Sequence, residues 1–443
     1  MIMRLALLAL AVWWNLFTAT PVSGRQADQD GRFGTAGDSL TLEALIVDVL
    51  ASNPALRAAN ELALASGYRV DEASTLQDPR LQLGVTNFSI PGFRTDMPNS
   101  MAPSVSLSQV LPFPGKLSLR GDIAAGDRDQ AQATADEYSW MLRAGAADLF
   151  YQIYAVDRRS GVLTETLALL QQTQTVARAR YTAGEERQAD VLRVDVEVAR
   201  MEADLRSLAA SRLALSASLN ALLDRPSDSA IPPPLIRPYS AALPDTRTLT
   251  EMGWTHRPAL IRMRSRVEQA QDRSALADKG LWPDFVVSLS YGQRGSDTGV
   301  QRMGSTSVGF SLPVHASQRQ NAAKSEAAVR VRSAASELAN SRAALAGEVG
   351  LIVAEVERTR SLMRLYEARI LPEAATTVQS AFAAYRVGQS DFTSLLQTQL
   401  NQNRFRIEFY QLQADHGNAI ARLEATIGRP LNTEETDVSE ETR

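Results

Sequence analysis

The chain has 443 residues, no cysteine, three histidines and a formal net charge of −4 from 46 basic and 50 acidic side chains. The length allows an ample buried core, and the near balance of charge gives no footprint for nucleic acid. The missing thiols exclude disulfides, thiolate metal sites and lipid attachment to an N-terminal cysteine, while His256, His315 and His416 show no paired-ligand spacing, so no metal, cofactor or enzymatic site is expected.

Residues 1–24 read as a secretory signal: Arg4, then an apolar run from Leu5 to Phe17 broken only by Asn15, then the small residues Val22, Ser23 and Gly24. The competing reading is a short membrane anchor, but the run falls short of the roughly 20 residues a spanning helix needs. Residues 25–38, with three glycines and charges of both signs, read as a flexible leader. No later apolar run reaches spanning length.

From here the chain contains one unit twice. Asn53-Pro54-Ala55-Leu56 recurs as Arg257-Pro258-Ala259-Leu260, Asp78-Pro79 as Trp282-Pro283, Tyr181-Thr182-Ala183-Gly184 as Tyr385-Arg386-Val387-Gly388, and Asp224-Arg225-Pro226 as Gly428-Arg429-Pro430, every pair 204 positions apart. The repeats span 39–226 and 249–430. Between them, 227–248 carries Pro232, Pro233, Pro234, Pro238 and Pro244 and must cross as an extended connection. Residues 431–443 form an acidic tail expected to be disordered.

Each repeat opens with a helical period: Leu42, Leu45, Ile46, Val49 and Leu50 predict one helix from a Thr41 or Ser39 cap to about Gln77, and its counterpart runs over about 249–280. Period two follows. Leu81, Leu83 and Val85, then Val105 and Leu107, alternate with Ser, Thr, Gln and Gly and predict a hairpin over 80–111; Phe285, Val287, Leu289 and Tyr291, then Val308, Phe310 and Leu312, predict its counterpart over 284–313. Two readings fit these strands: a half-buried sheet in a soluble domain, or a transmembrane barrel with lipid on one face and water on the other. Four strands cannot close alone, so the second reading requires oligomerisation.

A proline-free stretch from about Gly115 to Tyr181 then predicts a helical rod of roughly 65 residues, about 100 Å long. Leu163, Leu167, Leu170, Gln174, Ala177 and Tyr181 step in heptads, and after the Gly184 turn Val191, Val194, Val198, Met201, Leu205 and Leu208 continue them, with Arg212 as a polar register point. The second series runs Leu395, Thr398, Gln402, Phe405, Phe409 and Leu412, and His416 falls where Arg212 falls. The lengths suggest that each returning helix (185–224 in the first repeat) stacks end to end with the opening helix of the next unit, beside a rod.

In this order of elements the chain resembles the TolC family of outer-membrane efflux channels, over about Ser39 to Leu431. The fold class expected is mainly α with a small β part. The resemblance implies a homotrimer whose twelve strands close one barrel in outer-membrane lipid, with an α-helical tunnel crossing the periplasm toward a membrane-fusion adaptor and an inner-membrane pump of the RND type. It implies no covalent chemistry. Ser108 to Lys116, with Pro112, Pro114 and Gly115, is similar to the corner of the heavy-metal (CzcC-like) branch, and Met97, Met101 and Met303 offer soft contacts for Cu(I) or Ag(I). By resemblance the two turns form a constricted periplasmic tip, so Tyr181, Gly184, Asp190, Tyr385, Arg386, Gly388 and Asp391 are the gate candidates: Arg386 paired to an acid, the aspartates repeated as carboxylate rings that favour cations. The alternative is a periplasmic coiled-coil scaffold or type I secretion component without an efflux role.

Overall fold

The computed structural model describes residues 39–86, 90, 101–184, 187–236, 242–296, 299–387 and 389–431. The expected signal, leader and most of the acidic tail, with Met97 and Gly388, lie outside them. The elements are α1 (Leu42–Ser52), α2 (Pro54–Ser74), β1 (Arg80–Thr86), β2 (Met101–Leu111), α3 (Lys116–Thr182), α4 (Gln188–Leu222), α5 (Thr246–His256), α6 (Pro258–Lys279), β3 (Phe285–Ser296), β4 (Gly299–Phe310), α7 (Gln320–Leu365), a π-helical segment Tyr366–Ile370, α8 (Leu371–Arg386) and α9 (Phe392–Ile427). The mainly helical fold class is as expected.

Each opening helix differs from the single rod read from its periodicity. It breaks before proline, at Asn53 and Arg257, because proline supplies no N–H and pushes the preceding residue to extended backbone: ψ is 120° at Asn53 and 121° at Arg257. Asn53 turns the break into a cap, its Oδ1 accepting from the N–H groups of Ala55 and Leu56 at 3.1 Å.

α3 runs 67 residues without interruption, about 100 Å at 1.5 Å per residue. It lies between two composite columns, α2 with α4 on one side and α6 with α9 on the other, and α7 packs beyond the second. The stacking differs from the expectation. Asn53 Nδ2 donates to the carbonyl of Leu222, the last residue of α4, at 3.1 Å, so α4 abuts the opening helix of its own repeat, not of the next. The second repeat does the same: Gly428, the left-handed C-cap of α9 at φ +69°, sits so close to the break before α6 that a Cβ there would lie 2.8 Å from the His256 carbonyl oxygen. The connector allows this arrangement by bending back, its Pro233 carbonyl accepting from Leu40 N–H at 3.0 Å and Leu235 N–H donating to Leu40 O at 2.8 Å.

The apolar interior is divided. Leu249, Leu260, Leu345, Val349, Ile352, Val356, Leu423 and Ile427 form one cluster among α5, α6, α7 and α9. Leu163, Leu170, Val194, Val198, Met201, Leu208, Phe392 and Leu396 form another among α3, α4 and the start of α9. The second heptad series differs from the one read above only in its first part: Phe392, Leu396 and Asn403 are buried toward α3 and Phe405 faces Tyr366, ring centroids 6.5 Å apart, whereas Phe409 and His416 are buried at the positions expected. α9 therefore carries two seams where the sequence pattern suggested one.

Candidate functional site

The strands form one antiparallel sheet in the order β1-β2-β3-β4, so β2 pairs with β3 and the two repeats are joined. Directly paired residues share a face. One face aligns Leu81, Leu107 and Leu289, then Leu83, Val105 and Tyr291, then Leu111, Phe285 and Phe310. The other aligns Gln82, Ser106, Ser290 and Ser305, and beside them Ser108, Ser288 and Ser307. The apolar face stays open: Leu83 is 74% exposed, Leu289 57% and Phe310 59%. The opposite face is a hydroxyl lattice, with the Ser290 and Ser305 hydroxyls 2.6 Å apart. β1 and β4 each have an unpaired edge. Among the described residues no helix is long and apolar enough to cross a membrane.

At the far end of the helices the two turns lie together. Gly184 takes φ +78°, a left-handed conformation that costs other residues free energy. Tyr181 is 44% exposed at the end of α3. Asp190, largely shielded in the first turn of α4, has Arg187 at 4.0 Å and Arg193 at 3.8 Å, so its charge is already answered within the chain. Asp391 is the N-cap of α9, accepting from the Ser394 N–H at 2.8 Å, a local task different from the open carboxylate expected of it. Arg386 is exposed, and among the described residues no carboxylate of this chain pairs with it, so the expected ion pair across its own hairpin is not seen.

The contacts that join the tips are ones that sequence reasoning missed. Arg193 donates to Thr393 Oγ1 at 2.5 Å, and the Arg180 guanidinium lies 5.3 Å from the centre of the Tyr385 ring, which meets Phe392 edge-on at 6.1 Å. Each couples the α3–α4 hairpin to the α8–α9 hairpin. Behind them, the Asp195 carboxyl is held below the usual range, first by the hydrogen bond from Gln174 and then by Arg178. The Arg193–Thr393 and Arg180–Tyr385 pairs join positions about 200 residues apart, beyond any heptad rule.

The two polar register points also diverge. Arg212 donates to Asp157 at 2.8 Å and to the Ile231 carbonyl at 2.9 Å, pinning the connector. His416, 5% exposed, places Nδ1 2.9 Å from the Thr359 hydroxyl; burial, aided by Arg360, lowers its pKa. Among the described residues no group of three or more His, Asp or Glu side chains is placed to hold a metal ion. Met303, 45% exposed, stands on the hydroxyl-bearing face opposite Gly292.

The family model described as outer membrane efflux protein matches residues 45–225 and 254–429. No curated protein sequence matches the chain. Among solved structures, the outer membrane protein VceC of Vibrio cholerae superposes with a TM-score of 0.75 at 17% identity, covering 88% of this chain and 96% of that one. CusC, whose structures describe folding and transmembrane channel formation, gives 0.76 at 14% identity over 90% of this chain and 96% of its own. The open-state MtrE outer membrane channel of Neisseria gonorrhoeae gives 0.74 at 16% identity over 88% and 89%. At these identities the structural likeness is one of fold.

Proposed function

The chain belongs to the outer membrane efflux protein family, and from that premise we propose that it is the outer-membrane channel of a tripartite efflux system. Three copies join their unpaired β1 and β4 edges into a twelve-stranded barrel, and their helices continue it as a tube into the periplasm. A membrane-fusion adaptor and an inner-membrane pump of the RND type meet the helical end, and cargo passes through without covalent change. One observation carries this reading: a sheet with an uncovered apolar face, a hydroxyl-lined opposite face and two free edges. In water the apolar face costs roughly 25 cal/mol per Å² exposed, and in lipid the free edges are untenable; closing the sheets into a ring within lipid removes both costs. A periplasmic scaffold has no use for such a sheet.

The turns Tyr181 to Gly184 and Tyr385 to Gly388 form the gated end. The Arg193–Thr393 and Arg180–Tyr385 contacts hold the two hairpins of one protomer together, and Arg386, exposed and with no partner among the described residues of its own chain, is free to meet a neighbouring protomer.

Recovery from outer-membrane detergent extract as a heat-sensitive trimer is the expected outcome of fractionation, and recovery as a water-soluble monomer overturns the proposal. For the gate, Asp190→Ala or Arg386→Ala is expected to change single-channel conductance or cation preference in planar bilayers. No change in either removes both residues from the constriction.

A further inference from the structure

The charges of the sheet are all of one sign. The strand spans 80–86, 101–111, 285–296 and 299–310 contain Arg80, Arg294 and Arg302 and neither aspartate nor glutamate. Of the acids that flank them at the helix end, Asp284 is taken up by Lys116 at 2.8 Å and by the Phe113 N–H at 2.9 Å. Asp78 precedes β1 and makes no ion pair with Arg80. Asp96 and Asp297 belong to the connections between strands, outside the described residues.

The register assigns each arginine to a face. Arg80 pairs with Ser108, Ser108 with Ser288 and Ser288 with Ser307, so Arg80 stands in a row of hydroxyls. On the same face, three rows further along β3, Arg294 pairs with Gln301, about 20 Å from the first row at 3.3 Å per residue. Its guanidinium donates to the Gln301 side-chain oxygen at 2.9 Å, a neutral partner that holds it along the wall. Between the two arginines lie Ser106, Ser290, Ser305 and Ser104. Arg302 pairs with Gln293, which is in phase with Tyr291 and Leu289, and so belongs to the opposite, apolar face.

We propose that the barrel lumen is a sleeve for anions, and that the cargo class is small molecules bearing carboxylate, phosphate or sulfonate groups. This rests on the reading of the hydroxyl face as the water-filled side of a trimeric barrel. Threefold repetition turns Arg80 and Arg294 into two rings of guanidinium, the group that meets carboxylate and phosphate with paired hydrogen bonds, and rings of that sign select anions. The low-dielectric lipid around the barrel focuses their field into the lumen. The serines between the rings donate hydroxyl protons to an anion in passage, and an unliganded metal cation is repelled at both rings.

The test records single channels of the exported protein in planar bilayers, with inositol hexakisphosphate added to the chamber that the strand end faces. Concentration-dependent block of the parent is expected. Arg80→Gln with Arg294→Gln should raise the half-blocking concentration by about tenfold or more and move the reversal potential in a potassium chloride gradient toward cations. Arg294→Lys, which keeps the charge, should retain the block, and Arg302→Gln, which removes the same charge from the other face, should match the parent. A conducting parent that the polyanion leaves unblocked, or an Arg302→Gln channel relieved as much as the double variant, overturns the sleeve and leaves the channel standing. Bilayers in which the parent never conducts overturn both.

Discussion

Gly417 and His416 are neighbours with opposite tasks. A Cβ on Gly417 would lie 2.2 Å from the ring of Tyr151, which is itself 9% exposed and wedged between α3 and α9. Gly417→Ala is therefore expected to destabilise the fold by about 1–3 kcal/mol through overpacking, read as a lower thermal midpoint, and Tyr151→Leu in the same chain should restore most of the loss. His416 predicts a pH effect. Its folded pKa lies below that of the unfolded chain, so the unfolded state binds the proton more tightly, and stability is lost as pH falls from about 6.5 through the folded value. Glu424, raised by burial, titrates with the opposite sign. Comparing denaturant midpoints of the parent with His416→Gln at pH 7 and pH 5 cancels Glu424, and the parent should lose more. The sequence places His416 opposite Arg212 by offset, and both prove polar points in apolar seams. Their partners, Thr359 and Ile231, were not legible, because heptad spacing fixes which face a residue occupies but not what the facing helix presents there.

The joints between helices were the least legible level. Proline announces each break, yet the reading ran α1 into α2 and α5 into α6 because the apolar period carries on across it. The reversed stacking was hidden for a related reason: helix lengths match equally well with either partner, and only the Asn53 side chain reaching Leu222 decides. Arg257 holds the second joint. It bridges Glu137 on α3 at 3.4 Å and Glu348 on α7 at 2.8 Å, while Glu137 also accepts from Ala259 N–H at 2.9 Å. Removing the cation leaves two carboxylates partly desolvated and facing each other, so Arg257→Ala is expected to cost about 2–4 kcal/mol, checked by chemical denaturation. Arg257→Lys should recover only part, since one ammonium cannot reproduce the forked contact. Asp391→Ala, which deletes the cap of α9, should cost about 1 kcal/mol and appear as faster amide exchange confined to the first turn of that helix. The rods differ too: α3 is unbroken, whereas its counterpart contains the π-helical segment and Pro372, and Tyr366 within it donates to Glu408 on α9 at 2.6 Å.

At the scale of the whole molecule the 204-residue offset survives in the starts of α1, α2, α3 and α4 against α5, α6, α7 and α9, yet the hairpins between them are unequal. The β1–β2 connection runs from 87 to 100, the β3–β4 connection only over 297–298, and the difference is offset by a longer passage from β4 to α7 than from β2 to α3. Alternation of apolar and hydroxyl residues made the two-faced sheet readable in advance, because period two is blind to loop length; the pairing of β2 with β3 was not, since nothing local marks which hairpin sits beside which. The unsatisfied edges have a genetic corollary. If closure takes three sound chains, a copy whose β4 is blocked by proline at Ser305 and Thr306 still offers a good β1 and enters assemblies it cannot complete. Co-expressed in equal amount with the parent, it should leave about one ring in eight intact, so the channel conductance recovered from such cells should collapse well below half: a dominant poison, where a chain that never enters a ring would leave the parent's rings whole.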